Sequence, residues 1–151
     1  MKLAEALILR VNLQKRIFEL KDRLLRSAKI QEGEEPYEDP NALLSELDSA
    51  IIELADIIKR INKVNSSVLI KDDQTISDYL AKRDILKLKR SVITALIEEA
   101  TTKFGRYSRS EVKILSAVNI SELQKQADAL AAEYRLIDTT IQEYNWLTEL
   151  T

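Results

Sequence analysis

The chain has 151 residues, a formal charge of −2, and neither histidine nor cysteine. Those absences exclude an imidazole base, a thiolate nucleophile, a disulfide, a zinc knuckle and iron–sulfur ligation. The two glycines, Gly33 and Gly105, lie far apart, so no glycine-rich loop cradles a phosphate.

The length suits one domain, residues 1–151, able to bury a core without staples. Near-neutral charge creates no global field favouring nucleic acid or an anionic membrane. Only oxygen-ligand metals remain chemically open, and no calcium-loop spacing occurs, so no cofactor is expected. Residues 1–10 briefly resemble a signal peptide, but Glu5 and Arg10 interrupt the apolar run and no cleavage-like site follows. No segment reaches the roughly 20 apolar residues of a membrane helix. A soluble, cytoplasmic chain is expected.

The spacing predicts a first helix over residues 2–28. Leu13, Ile17, Leu20 and Leu24 form one stripe; Leu3, Leu7, Val11, Phe18 and Leu25 form a second. Two stripes imply two neighbours. Gly33, Pro36 and Pro40 end this helix within an acidic segment, and Asp39 caps the next with Pro40 as its first residue. The second helix, residues 41–65, places Leu44, Leu47, Ile51, Leu54, Ile58 and Ile61 at a and d heptad positions. Leu43, Ala50, Ile57 and Val64 fall at g, which makes the stripe wide enough for a bundle.

Val68, Leu69 and Ile70 suggest a short strand. A third helix follows to about Thr102, with Thr75 and Asp78 as a capping-box-like pair. Its arc carries Ile85, Leu88, Val92 and Leu96 on one side and Leu86, Ile93, Ile97 and Ala100 on the other. Residues 103–119 form a long connection, with a possible strand over 112–118. Ser121 and Gln124 suggest a cap for the last helix, which runs to about Leu150. Its main stripe is Leu123, Ala127, Leu130, Tyr134, Ile137, Ile141 and Tyr144; Ala129, Ala132, Leu136, Leu147 and Leu150 form another. Four similar lengths point to antiparallel packing. In an up-down-up-down order the acidic first connection meets the basic third.

Several side chains are candidates for function. Arg60 and Asn62, near the end of the second helix, are ligand donors or helix-end caps. Lys82, Arg83 and Lys89 on the third helix face Asp138 and Asn145 on the fourth as a polar network or an anion clamp. Arg106, Tyr107, Arg109 and Lys113 form the best basic and aromatic patch, with the chemistry to contact phosphates or bases. Leu136, Trp146, Leu147 and Leu150 read as an exposed interface. Adjacent acids such as Asp72 and Asp73 do not face one another and are not a site.

QEGEEP at 31–36, RINKVN at 60–65, Arg83-Asp84, RYSRSEVK at 106–113, ELQKQAD at 122–128 and EYRLIDTTIQEYNW at 133–146 resemble the bacterial septicolysin-like family. The resemblance implies a helical bundle, brings no catalytic residues, and suggests membrane activity as an alternative function. The combined expectation is an all-α antiparallel bundle of about four long helices with coiled-coil-like packing and a minor β element. Its function is expected to be a non-enzymatic, self-associating scaffold, a homo-oligomer with no specific nucleic acid partner. The alternatives are a membrane-active cytolysin and nucleic-acid or small-ligand binding through residues 103–113.

Overall fold

A computed structural model describes residues 1–102 and 112–151. The elements are α1 (Leu3–Arg26), α2 (Pro40–Ser67), β1 (Leu69–Lys71), β2 (Gln74–Thr75), α3 (Ile76–Thr101) and α4 (Ile120–Leu147). The fold is an all-α helical bundle with one minimal hairpin, as the periodicity predicts. The connection expected to carry the basic patch, and to meet the acidic loop, falls largely on residues 103–111, outside the described residues. The chain divides into one unit of residues 1–76 and 143–151 and a second of residues 77–142.

In the first unit, α1 and α2 run in opposite directions, with Arg16 near Glu46 and Arg23 on Glu38. Leu20, Leu43 and Ala50 form the centre, with Ile17, Leu24 and Leu47 against it. The buried seam of α2 is Leu43, Ala50, Ile57, Ile61 and Val64, joined by half-buried Leu47 and Leu54. The expected d residues Leu47, Leu54 and Ile61 stay in this seam, and the g residues replace the a residues Leu44, Ile51 and Ile58 beside them. Leu44 and Ile51 are left exposed at its edge because α1 covers the g side of the stripe.

The loop between these helices is closed by side chains. Arg23 donates to both carboxylate oxygens of Glu38, at 2.6 Å for the closest contact, and the Glu38 backbone N–H donates to buried Ser27 Oγ. Gly33 sits at φ +85°, a left-handed conformation that favours glycine. Asp39 caps α2 by accepting from the Asn41 N–H, with Pro40 in the first turn, as expected. After α2, Asp72 and Asp73 both take positive φ between Lys71 and Gln74, the two-residue turn of a tight hairpin. These adjacent acids therefore have a conformational role. The Tyr144 hydroxyl donates to the Ile70 carbonyl and ties α4 to this hairpin.

The two chain ends also meet. The Leu3 N–H donates to the Thr148 carbonyl at 2.9 Å, and the Leu150 N–H to the Met1 carbonyl at 2.8 Å. Glu149 lies 2.6 Å from Lys2 Nζ and 3.3 Å from the Met1 α-ammonium. Hydrogen bonds from these two ammonium groups hold the Glu149 carboxyl below its ordinary range; the hydrogen bond from Arg23 does the same to Glu38. A carboxylate with a depressed folded pKa stabilises the fold above its unfolded value of about 4.3. That contribution is lost as pH falls through the folded value. Acid unfolding followed by circular dichroism is therefore expected to become less steep below about pH 4.3 in Glu149→Gln. An unchanged slope would show that this contact carries no linkage.

In the second unit, α3 and α4 are joined by Leu86, Ile137 and Ile141, with Tyr79, Leu80, Leu130 and Tyr134 around them. The cap of α4 is Asn119, whose side chain accepts from the Glu122 N–H, rather than Ser121. Residues 112–118 form no strand. Apolar runs of that length do not by periodicity alone choose between strand and coil.

Candidate functional site

Most of the expected polar network pairs off into structural contacts. On α3, Arg83 Nη1 lies 2.7 Å from Asp138 Oδ1, and Lys82 Nζ lies 3.6 Å from Glu133 Oε1. Lys89 is exposed two turns beyond Lys82 on α3 and is in neither ion pair. Asn145 is buried in the other unit, at the end of α4. Three of the five expected residues therefore enter two cross-helix ion pairs, with Glu133 as an added partner, and Lys89 and Asn145 stand apart. Arg60 Nε donates to the Thr151 carbonyl at 3.3 Å, with Asp56 one turn back, while Asn62 is exposed. Since α2 continues to Ser67, residues 60–65 do not cap its end.

Three of the four expected interface side chains are exposed: Leu136 at 69%, Trp146 at 55% and Leu147 at 64%. Leu150 is not available. It is 7% exposed, because pairing of the chain ends turns it onto its own unit. On α1, Ile8, Val11, Phe18 and Leu25 are likewise exposed, opposite the face that meets α2. On α3, Ile85, Leu88, Val92 and Leu96 are exposed opposite Leu86. The spacing predicts an apolar arc with two sides on this helix, and the neighbour within the unit covers Leu86 and leaves the Ile85 side exposed.

Arg106, Tyr107 and Arg109 lie outside the described residues; Lys113 is exposed. A different basic cluster escapes the sequence reading. A groove of about 480 Å³ between α3 and α4 is lined by Leu86, Lys87, Arg90, Ser91, Thr94, Ala131, Tyr134 and Arg135. Its signal is the i, i+3, i+4 run Lys87, Arg90, Ser91, which places those residues on one helix face. Recognising it also requires knowing that Glu133 and Asp138 are engaged elsewhere. Among the described residues no group of three or more carboxylates could hold a metal ion, and no helix is long and apolar enough to cross a membrane.

Fold and surface together define an all-α protein of paired helices whose outward faces carry ordered apolar stripes. The chain belongs to the family of unknown function DUF6847, whose sequence model matches residues 10–150. A crystal structure of a functionally unknown conserved protein from Corynebacterium diphtheriae is 42% identical. That similarity covers 100% of this chain and 99% of the other, with a TM-score of 0.94. No curated protein matches. These relationships overturn the septicolysin-like resemblance: neither the family nor the structural neighbour bears that description. The segments that suggested it are in large part structural. QEGEEP is the interhelix loop around Gly33, and RINKVN is the last part of α2.

Proposed function

We propose that this protein is a non-enzymatic helical module that associates with further copies of itself through the unpartnered apolar stripes of its helices. The observation that carries this reading is the regular exposure of Ile8, Val11, Phe18 and Leu25 along α1, repeated by Ile85, Leu88, Val92 and Leu96 along α3. Leu136, Trp146 and Leu147 supply a third set on α4. Scattered exposed leucines are ordinary, but aligned ones form a patch. Each of the first two stripes presents roughly 400–500 Å² of apolar surface, within the 300–600 Å² range where a patch on a monomer is often functional.

Two copies laying the α1 stripe together would bury roughly 900 Å² from those four side chains alone, close to the lower bound of about 1,000 Å² for a specific interface. A contact through α3 or α4 would carry the total into the standard range. A second copy is the favoured occupant because it carries every one of these stripes, and most soluble oligomers are symmetric assemblies of one chain.

Multi-angle light scattering is expected to give a discrete mass above one chain. Phe18→Glu with Leu25→Glu should lower that mass while helix content stays constant, since both side chains already face water. A wild-type protein that remains monomeric at high concentration, with Trp146 fluorescence characteristic of full solvation, would overturn the proposal.

A further inference from the structure

The groove between α3 and α4 has the make-up of an anion site. Short side chains, Ser91, Thr94 and Ala131, line it together with Leu86 and Tyr134. Three long cations complete the lining: Lys87, Arg90 and Arg135. No carboxylate lines it. Among the described residues none of the three cations is in an ion pair.

Three of the nearby acids have partners of their own. Glu133 is held by Lys82, Asp138 by Arg83, and Asp128 accepts from Gln124. Asp84 lines an adjoining shallow groove with Lys87, Leu88 and Ser91. Three like charges lining one groove repel one another, whereas a multivalent anion placed among them is attracted by all three. The two guanidinium groups are suited to bidentate contact with phosphate or carboxylate oxygens, and Lys87 adds a point charge.

The hydroxyls set a second requirement. Ser91 Oγ donates to the Leu88 carbonyl at 2.7 Å, and Thr94 Oγ1 donates to the Arg90 carbonyl at 2.9 Å. Their protons are occupied, so they offer the groove acceptor lone pairs rather than donors. The volume falls within the usual range for small-molecule sites of roughly 300–1,000 Å³.

We infer that the Lys87–Arg90–Arg135 groove binds a small multivalent oxyanion bearing phosphate or carboxylate groups, with room for a hydroxyl beside Ser91 and Thr94. Ile85 and Val92 lie on the far side of α3 from this groove, while Leu88 borders it beside Lys87 and Ser91; the inference rests on the cations and not on self-association.

The test is a titration of the full-length, isotopically labelled protein with sodium pyrophosphate and, separately, with citrate. Ionic strength is held constant with sodium chloride, and binding is followed by amide and arginine side-chain resonances. Saturable, one-site shifts confined to the groove residues are expected with at least one probe. Binding by both fits the shared oxyanion chemistry; binding by one alone assigns the class to phosphate or carboxylate. Arg90→Gln and Arg135→Gln should each weaken binding about tenfold, the effect of losing one charge-assisted contact. Lys125→Gln, which removes an exposed cation elsewhere on α4, should leave it unchanged. Both arginines are exposed, and Lys87→Gln serves as a further variant should either arginine variant lose its folded spectrum. Shifts that fail to saturate by about 10 mM, in the weak regime of loose counter-ion attraction, would overturn the inference. So would folded groove variants that bind as tightly as wild type.

Discussion

Leu20→Ala is expected to lower the stability of the first unit by about 2–5 kcal/mol, the usual cost of truncating a fully buried leucine. Leu20 is 1% exposed and occupies the centre of the α1–α2 contact, against Leu43 and Ala50, with Ile17, Leu24 and Leu47 at its sides. Removing its side chain leaves a void that two long helices cannot close without sliding past one another. Ala50 on the facing helix is too small to fill the space. Denaturant unfolding followed by helical circular dichroism measures the loss. Phe18→Ala provides the contrast from two residues away. Phe18 is 67% exposed, and its truncation should change folding by no more than about 0.5 kcal/mol when measured below the concentration at which copies associate. Equal effects at the two positions would mean that the buried face of α1 is wrongly placed.

The same pair of residues shows what was legible beforehand. Two stripes on α1 are visible in the spacing of its apolar residues, and the structure covers one of them with α2. Spacing reveals how many faces a helix has, but not which neighbour reaches each face. On α2 the heptad was visible while its phase was not. Leu43, Ala50, Ile57 and Val64 form as good a row as Leu44, Ile51 and Ile58, and contact with α1 selects the first.

Local chemistry was more readable than long-range chemistry. Asp39 followed by Pro40 identified a helix start because the cap and its N–H lie two residues apart. At the start of α4 the spacing of Ser121 and Gln124 misplaced the cap by two residues, since Asn119 is the side chain that accepts from the Glu122 N–H. The ring of contacts joining Met1, Lys2 and Leu3 to residues 148–150 had no sequence signal, since its partners are separated by nearly the whole chain. The cationic groove was hidden for a related reason. Lys87, Arg90 and Arg135 stand out only once Glu133 and Asp138 are seen to be taken by Lys82 and Arg83, whereas the sequence allowed several pairings.

Helix α3 provides the sharpest separation between folding and association. Leu86 and Leu88 are two residues apart, about 200° around the helix. Leu86 is 8% exposed and packs on Ile137 and Ile141; Leu88 faces away from them. Leu86→Ala removes a buried side chain from that cluster and leaves a void against Ile137 and Ile141. Truncating a buried leucine costs roughly 2–5 kcal/mol. Hydrogen-exchange protection along α3 should therefore fall. Leu88→Asp should leave that protection intact, because its carboxylate remains in water, while reducing the mass of the assembly. If Leu88→Asp opened α3 as completely as Leu86→Ala, the exposed stripe would have to be part of the folding core, and the surface assigned to a second copy would already be occupied by the chain itself.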